Sequence, residues 1–493
     1  MRNAHSFTYW RSCRDQDGVS TPGIVAHWPG QLLKRNPSHF GAISGGQLFG
    51  RYTRTLVRIV KLARPRAPAR RRLLLAVAVA AVGAVVAVSA RQRDSKGLWV
   101  GLLDEHPAIE YATRAPRDRV AELNRALEAG AASLTFEPLT GYLRSVLRAL
   151  QVPVESQMLV LSRTGVQRLV TSPANPRALY YNDAVAVGFI RGSPFLELVA
   201  HDPEQGAVFY TINQRDTPKP AFSRQTACLT CHVAATTLEV PGFMTRSLRT
   251  APDGNLKLRL GSNHVDHRTP IAERWGGWFV TGTHGRMRHL GNVVTNTADE
   301  PVSLVPGGPL NARTLDGAVD LTGYLSRHSD VVALAVFDHQ TRALNLLTRL
   351  AWEARVAAHE GTPVDSPMVT GLVIDLVDYL LFVDEAPLDG GLRGGSGFAE
   401  WFSAQGVRDA QGRSLHQLDL DTRLLRYPCS YTIYSPAFDA LPPPVKAAVF
   451  RRVQQVLSGA EATPKYARLA PADRRAVREI LRDTIPGAAS FIR

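Results

Sequence analysis

The amino-acid sequence predicts an α+β protein: N-terminal helices, an antiparallel β meander, a loop-rich region and a helical C-terminal region. Three observations carry this. First, residues 117–131 (RDRVAELNRALEAGA) put Val120, Leu123 and Leu127 at helical spacing, and residues 141–150 continue with Leu143, Val146, Leu147 and Leu150. Second, residues 158–162, 184–190, 195–200 and 207–212 are short β-branched or aromatic runs. Asn, Asp, Gly and Pro segments separate them, as in a meander. Third, helical periodicity dominates beyond Leu315. Helices are expected at 321–324 leading into 328–335, and at 340–358, 368–383, 445–457 and 472–483, with a break at LPPP 441–444.

These patterns divide the body into an α+β region at 91–220, a loop-rich region at 221–300 and an α-helical region at 301–493. A chain of 493 residues, 45% hydrophobic and 20% charged, has ample material for a globular core. Its net charge of +15 is unevenly spread. Residues 1–90 hold 14 Lys and Arg against two acids, Asp15 and Asp17, whereas the remainder holds 44 against 41. The body is therefore nearly neutral, and nucleic acid is not an expected partner.

The basicity belongs to an export segment. Residues 73–90 (LLLAVAVAAVGAVVAVSA) carry no charge and follow the basic run RPRAPARRR at 64–72. That order is the n-region and h-region of a signal peptide, and Val88, Ser89 and Ala90 suit signal-peptidase cleavage. As a helix, 18 residues span about 27 Å, close to a bilayer core. The sequence thus predicts a signal peptide or a transmembrane helix within 57–90, with membrane contact through 73–90 if it is uncleaved. The body is then inner-membrane anchored or periplasmic. Residues 1–56 have no persistent period and read as a disordered tail or as lying upstream of a start near Val57.

Within the loop-rich region stands Cys228-Leu229-Thr230-Cys231-His232, a C-x-x-C-H motif. Four Cys and 14 His in a chain of 493 would give this spacing by chance only about 0.001 times. Covalent haem c attachment needs it: two thiols three residues apart add to the two porphyrin vinyl groups, and the next histidine ligates the iron. A zinc half-site would need further ligands at similar spacing, and no second C-x-x-C exists. A thioredoxin-like pair gives no reason for the trailing histidine. Cys228, Cys231 and His232 are therefore expected to hold one covalent haem c, with His232 as proximal iron ligand. A short helix over 228–234 would present them from one side. Cys429 is expected to be a buried thiol.

The second axial ligand decides the function. The loop 283–292 supplies His284, Met287 and His289; His264 and His267 form another cluster, and Met244 follows the motif closely. A strong distal ligand gives an electron carrier working with a redox partner protein. A vacant or displaceable one gives a haem enzyme such as a peroxidase-like oxidoreductase, or a gas or redox sensor. Trp275 and Trp278 are either porphyrin walls or ordinary core. In the helical half, His328, His339 and His359 lack the carboxylate spacing of a helical metal site and read as core or surface groups. Asp375, Asp378, Asp384 and Glu385 read as a solvated helix face. GGLRGGSG at 390–397 reads as a flexible connector rather than a phosphate loop.

Several phrases together, GYLRS at 141–145, NPRALYYND at 175–183, the C-x-x-C-H motif, VPG at 240–242, DHRTP at 266–270, RWGGWFVTG at 274–282 and RYPCSYTIYS at 426–435, resemble a family of exported bacterial proteins described as cytochrome c domain-containing. The resemblance spans about residues 105–485. It implies a single-haem c protein and an export route, and it implies no substrate.

Overall fold

A computed structural model describes residues 104–492. The segments 1–56 and 57–90, with the run at 73–90, lie outside the described residues. The described part is α+β. Helices α1 (Arg119–Glu128) and α2 (Leu143–Ala149) come first. The Asp118 carboxylate caps α1 by accepting from the N–H groups of Val120 and Ala121.

Six strands follow: β1 (Met158–Val160), β2 (Arg177–Tyr181), β3 (Val185–Phe189), β4 (Phe195–Asp202), β5 (Gly206–Asn213) and β6 (Phe222–Arg224). They pair antiparallel in sequence order, the meander that the alternating runs predict. The sheet also contains β2 and β6, which lie outside the four expected runs. Both sheet faces are covered. Ala178 and Tyr180 pack with α1 and α2, while their neighbours Leu179 and Tyr181 pack with the helical half. The period-two alternation of a strand thus feeds two cores.

Beyond β6 come α3 (Leu229–His232) and the short strands β7 (Thr245–Leu248), β8 (Ser262–Val265), β9 (Val293–Thr295) and β10 (Pro301–Ser303), which form the hairpin pairs β7–β8 and β9–β10. The C-terminal region is helical, as expected: α4 (Val331–His359), α5 (Pro367–Leu380), α6 (Phe398–Ala404), α7 (Pro436–Asp439), α8 (Pro443–Ser458) and α9 (Pro471–Thr484).

Helix α4 corrects the expectation of separate helices at 328–335 and 340–358. It is one helix of 29 residues, capped by Asp330. The polar run Asp338-His339-Gln340 reads as a break in sequence but lies buried within its N-terminal half. Each of its side chains has a distant partner: Trp275 Nε1 donates to Asp338 at 3.0 Å, His339 meets Ser430 Oγ at 2.6 Å, and Gln340 donates to the Asn182 carbonyl at 2.9 Å. Residues 321–324 form a turn rather than a helix. The glycine-rich 390–397 is a shaped turn, since the N–H groups of Gly395 and Ser396 donate to the Asp330 carboxylate at 2.8 and 3.0 Å.

The expectation of a transmembrane helix is corrected for the described residues: none of their helices is long and apolar enough to cross a membrane. Even α4 carries Asp338, Arg342, Arg349, Glu353 and Arg355 along its length.

Candidate functional site

Strand β6 delivers the chain from the sheet into the C-x-x-C-H motif. Cys228 ends a 3-10 turn, Thr226–Cys228, and α3 carries Cys231 and His232. A short helix is therefore present over the motif, Leu229–His232 with Cys228 at its N-cap, shorter than the expected 228–234. Cys228 and Cys231 are thiols. Burial, then the Glu197 carboxylate, then the neighbouring Cys231 push the Cys228 thiol up to about 11. A redox-active C-x-x-C requires the opposite shift, because the thiolate is its nucleophile.

His232 is held on three sides. Its Nδ1 is 2.9 Å from the carbonyl oxygen of Gly242. An N–H at Nδ1 donating to that oxygen leaves the lone pair on Nε2, the tautomer that an Nε2 metal ligand needs. Phe209 on β5 packs against the ring with centroids 4.6 Å apart, and Phe243 stacks on it at 5.9 Å. Burial lowers the His232 pKa, the Gly242 hydrogen bond works against that, and the Arg177 cation lowers it further.

The loop that orients His232 is itself pinned. Gly242 N–H donates back to the His232 carbonyl at 3.1 Å, and Thr237 Oγ1 donates to the same oxygen at 3.1 Å. Ala207 N–H ties the Pro241 carbonyl to β5 at 3.1 Å. Asn345, on α4, brackets Phe243: its Oδ1 accepts from the Phe243 N–H at 3.2 Å and its Nδ2 donates to the Phe243 carbonyl at 2.8 Å. Gly242 is required for space, because a Cβ there would lie 2.3 Å from Asn345 Oδ1 and 2.9 Å from Thr237 Cβ. The motif and the VPG phrase are visible in the sequence, whereas Asn345, a polar residue in an otherwise apolar helix stretch, carries no local signal there.

The expected distal candidates are spread out. His284 and His289 meet edge to face at 4.7 Å. His284 Nε2 accepts the Asn311 N–H at 3.0 Å, and His289 Nδ1 accepts the Gly291 N–H at 3.0 Å. In the neutral ring each therefore spends its lone pair on the backbone. Met287 packs against the helical core. His267 is buried with Nδ1 2.8 Å from His339 Nδ1, between Tyr379 and Phe382. Met244 Sδ accepts from Thr236 Oγ1 at 3.6 Å, next to the motif. His264 stands exposed on β8, across from Arg246 on β7. The ring contacts of His232 are with Phe209 and Phe243 alone among the described residues. Nor do three or more His, Cys, Asp or Glu converge on a possible metal site among the described residues. The expectation of a metal-binding group is corrected accordingly for the described residues.

Trp275 and Trp278 belong to the core: both are buried, with their indole N–H groups donating to Asp338 and to the Arg246 carbonyl. Cys429 is buried, as expected. Glu385 departs from the solvated-face expectation, since it is buried and accepts the Leu424 N–H at 2.8 Å.

The residues present fit haem c. It needs two thiols on one helical turn, one imidazole with Nε2 available, and apolar walls, and Cys228, Cys231, His232, Phe209 and Phe243 offer these. Comparison of the chain with protein-family models, curated proteins and solved structures finds no match.

Proposed function

We propose that Cys228 and Cys231 hold one haem c covalently, that His232 is its proximal iron ligand, and that the protein passes single electrons to and from a redox partner protein outside the cytoplasm, as a cytochrome c domain-containing protein. The observation that carries this reading is the 2.9 Å contact between His232 Nδ1 and the Gly242 carbonyl within a C-x-x-C-H motif. Such a contact fixes the tautomer and raises the basicity of the ligating nitrogen. When bound, the haem supplies a one-electron iron couple. The chain's own residues do the rest. The thiols anchor, Gly242 orients the imidazole, Asn345 holds the Gly242–Phe243 peptide in place, and Phe209 and Phe243 keep water from the ring.

One observation favours a second reading. His284 and His289 already spend their lone pairs on Asn311 and Gly291, which argues for a weakly held or open distal position. That arrangement suits a peroxidase-like enzyme or a gas or redox sensor.

Absorption spectra of the oxidised and ferrous protein, with and without CO, separate the two. A carrier is low-spin and takes up CO slowly. An enzyme or sensor is high-spin and binds CO at once. The absence of any haem absorption would defeat both.

A further inference from the structure

Two arginines near the motif lack the partners that buried guanidinium groups normally have. Arg246 lies on β7, just past the loop that orients His232, and Arg342 lies on α4, three residues before Asn345. The Nε of each is buried without a hydrogen-bond partner. A buried charge left without compensation is costly, so such groups are normally paired or serve a ligand. Arg246 donates from a terminal nitrogen to Ser262 Oγ at 2.6 Å, a neutral partner. Asp266, which directly follows β8, is taken up by Arg268, which donates to its two oxygens at 3.1 and 2.6 Å.

The two cations share a neighbourhood. His264 sits opposite Arg246 in the β7–β8 register. Its pKa is lowered by partial desolvation, then by the positive charges of Arg246 and Arg342, against the Asp266 carboxylate. Arg246 is also within electrostatic reach of Cys231, one of the two thiols of the motif. Around Arg342 the other charged or titratable groups are Tyr379, Arg268, Asp266 and Asp375. Two guanidinium groups thus act together at His264, with Asp266 the carboxylate acting against them there.

We propose that Arg246 and Arg342 form a cradle for the propionate carboxylates of the haem carried by Cys228 and Cys231. This rests on the haem reading above. Guanidinium groups bind carboxylates with paired N–H donors, and the unused Nε of each supplies one of them. Porphyrin carries two carboxylates, and the site offers two guanidinium groups.

The test compares holoprotein of wild type with Arg246→Gln, Arg342→Gln, Arg246→Lys and Arg342→Lys. Two quantities are read: haem retained after denaturing extraction, and reduction midpoint by spectroelectrochemical titration. Haem should stay attached in every variant. The midpoint should fall in both Gln variants, because losing a cation beside the haem favours the more positive ferric state. The Lys variants, which keep the charge without the fork, should fall less, and they carry the test if a Gln variant does not fold. Attached haem with unchanged midpoints would overturn the cradle and leave the haem reading intact. Wild type without haem would overturn that reading instead. Inorganic phosphate serves as a probe for a free-anion site: a midpoint shift on adding it to wild type would show that the arginines are open to solvent anions and overturn the propionate assignment.

Discussion

The imidazole of His232 and the carbonyl of Gly242 face each other at 2.9 Å, ten residues apart in sequence, across a loop that helix α4 holds from behind. The motif's histidine is therefore not oriented by its own short helix. It is oriented by a Pro-Gly turn whose position depends on Asn345, more than a hundred residues further along the chain.

Gly242→Ala tests the spatial demand of that turn. The added methyl would meet Asn345 Oδ1 at 2.3 Å and Thr237 Cβ at 2.9 Å. Overpacking of this kind costs about 1–3 kcal/mol. Chemical denaturation should register that loss, and the fraction of chains carrying haem should drop. An unchanged denaturation midpoint would mean the loop can yield without consequence.

Asn345→Leu keeps the branched shape of the side chain and removes both hydrogen bonds to Phe243. The stranded peptide groups should cost about 1–3 kcal/mol. The accompanying sign is spectroscopic: the Gly242 carbonyl should loosen its hold on His232, and the haem absorption of the variant should broaden or shift. A variant with wild-type stability and spectrum would detach Asn345 from the site.

Acid should weaken the fold. Burial lowers His201 to about 4, and it lowers His289 and His339 to about 3. Between those values and the ordinary 6.5 the unfolded chain binds these protons and the folded chain does not, so their contribution is present above pH 6.5 and is lost as pH falls. Each is worth on the order of a few kcal/mol. Asp338 and Glu385, both raised to about 7 chiefly by burial, act in the opposite direction, losing their contribution as pH rises toward 7. His267 and His264 are lowered by burial as well, and Asp118 and Glu353 are raised by it, so the histidines shifted down outnumber the acids shifted up and stability should decline from about pH 6.5 to about pH 4. Urea melts across that range check this, and His339→Gln should flatten the slope. A stability that rises on acidification would contradict the assignment.

His284→Ala and His289→Ala should leave the haem spectrum as it is while lowering stability, because each ring already serves a backbone N–H. Conversion of either variant from low-spin to high-spin haem would make that residue the distal ligand, and the carrier reading would then stand without its rival.

Much of this was legible in the sequence. Four of the six strands could be read because they are apolar runs cut by Asn, Asp, Gly and Pro, and the motif because two cysteines and a histidine at that spacing stand out in a chain with four cysteines. Helix α4 could not be read as one element. A polar run interrupts its N-terminal half, and the partners of Asp338 and His339, Trp275 and Ser430, lie 63 and 91 residues away. The role of Asn345 was hidden for the same reason, since a polar residue inside an apolar helix does not announce its partner. Val240-Pro241-Gly242 was the one local sign, a turn shortly after the motif.

The most direct test of the central claim is denaturing acid–acetone extraction of protein purified from a host able to attach haem c, followed by intact-mass measurement of the polypeptide. Haem should remain with the chain and add the mass of one group, and Cys228→Ser with Cys231→Ser should abolish the addition. A wild-type polypeptide that gives up all its haem to the solvent, or never carries any, would contradict the account.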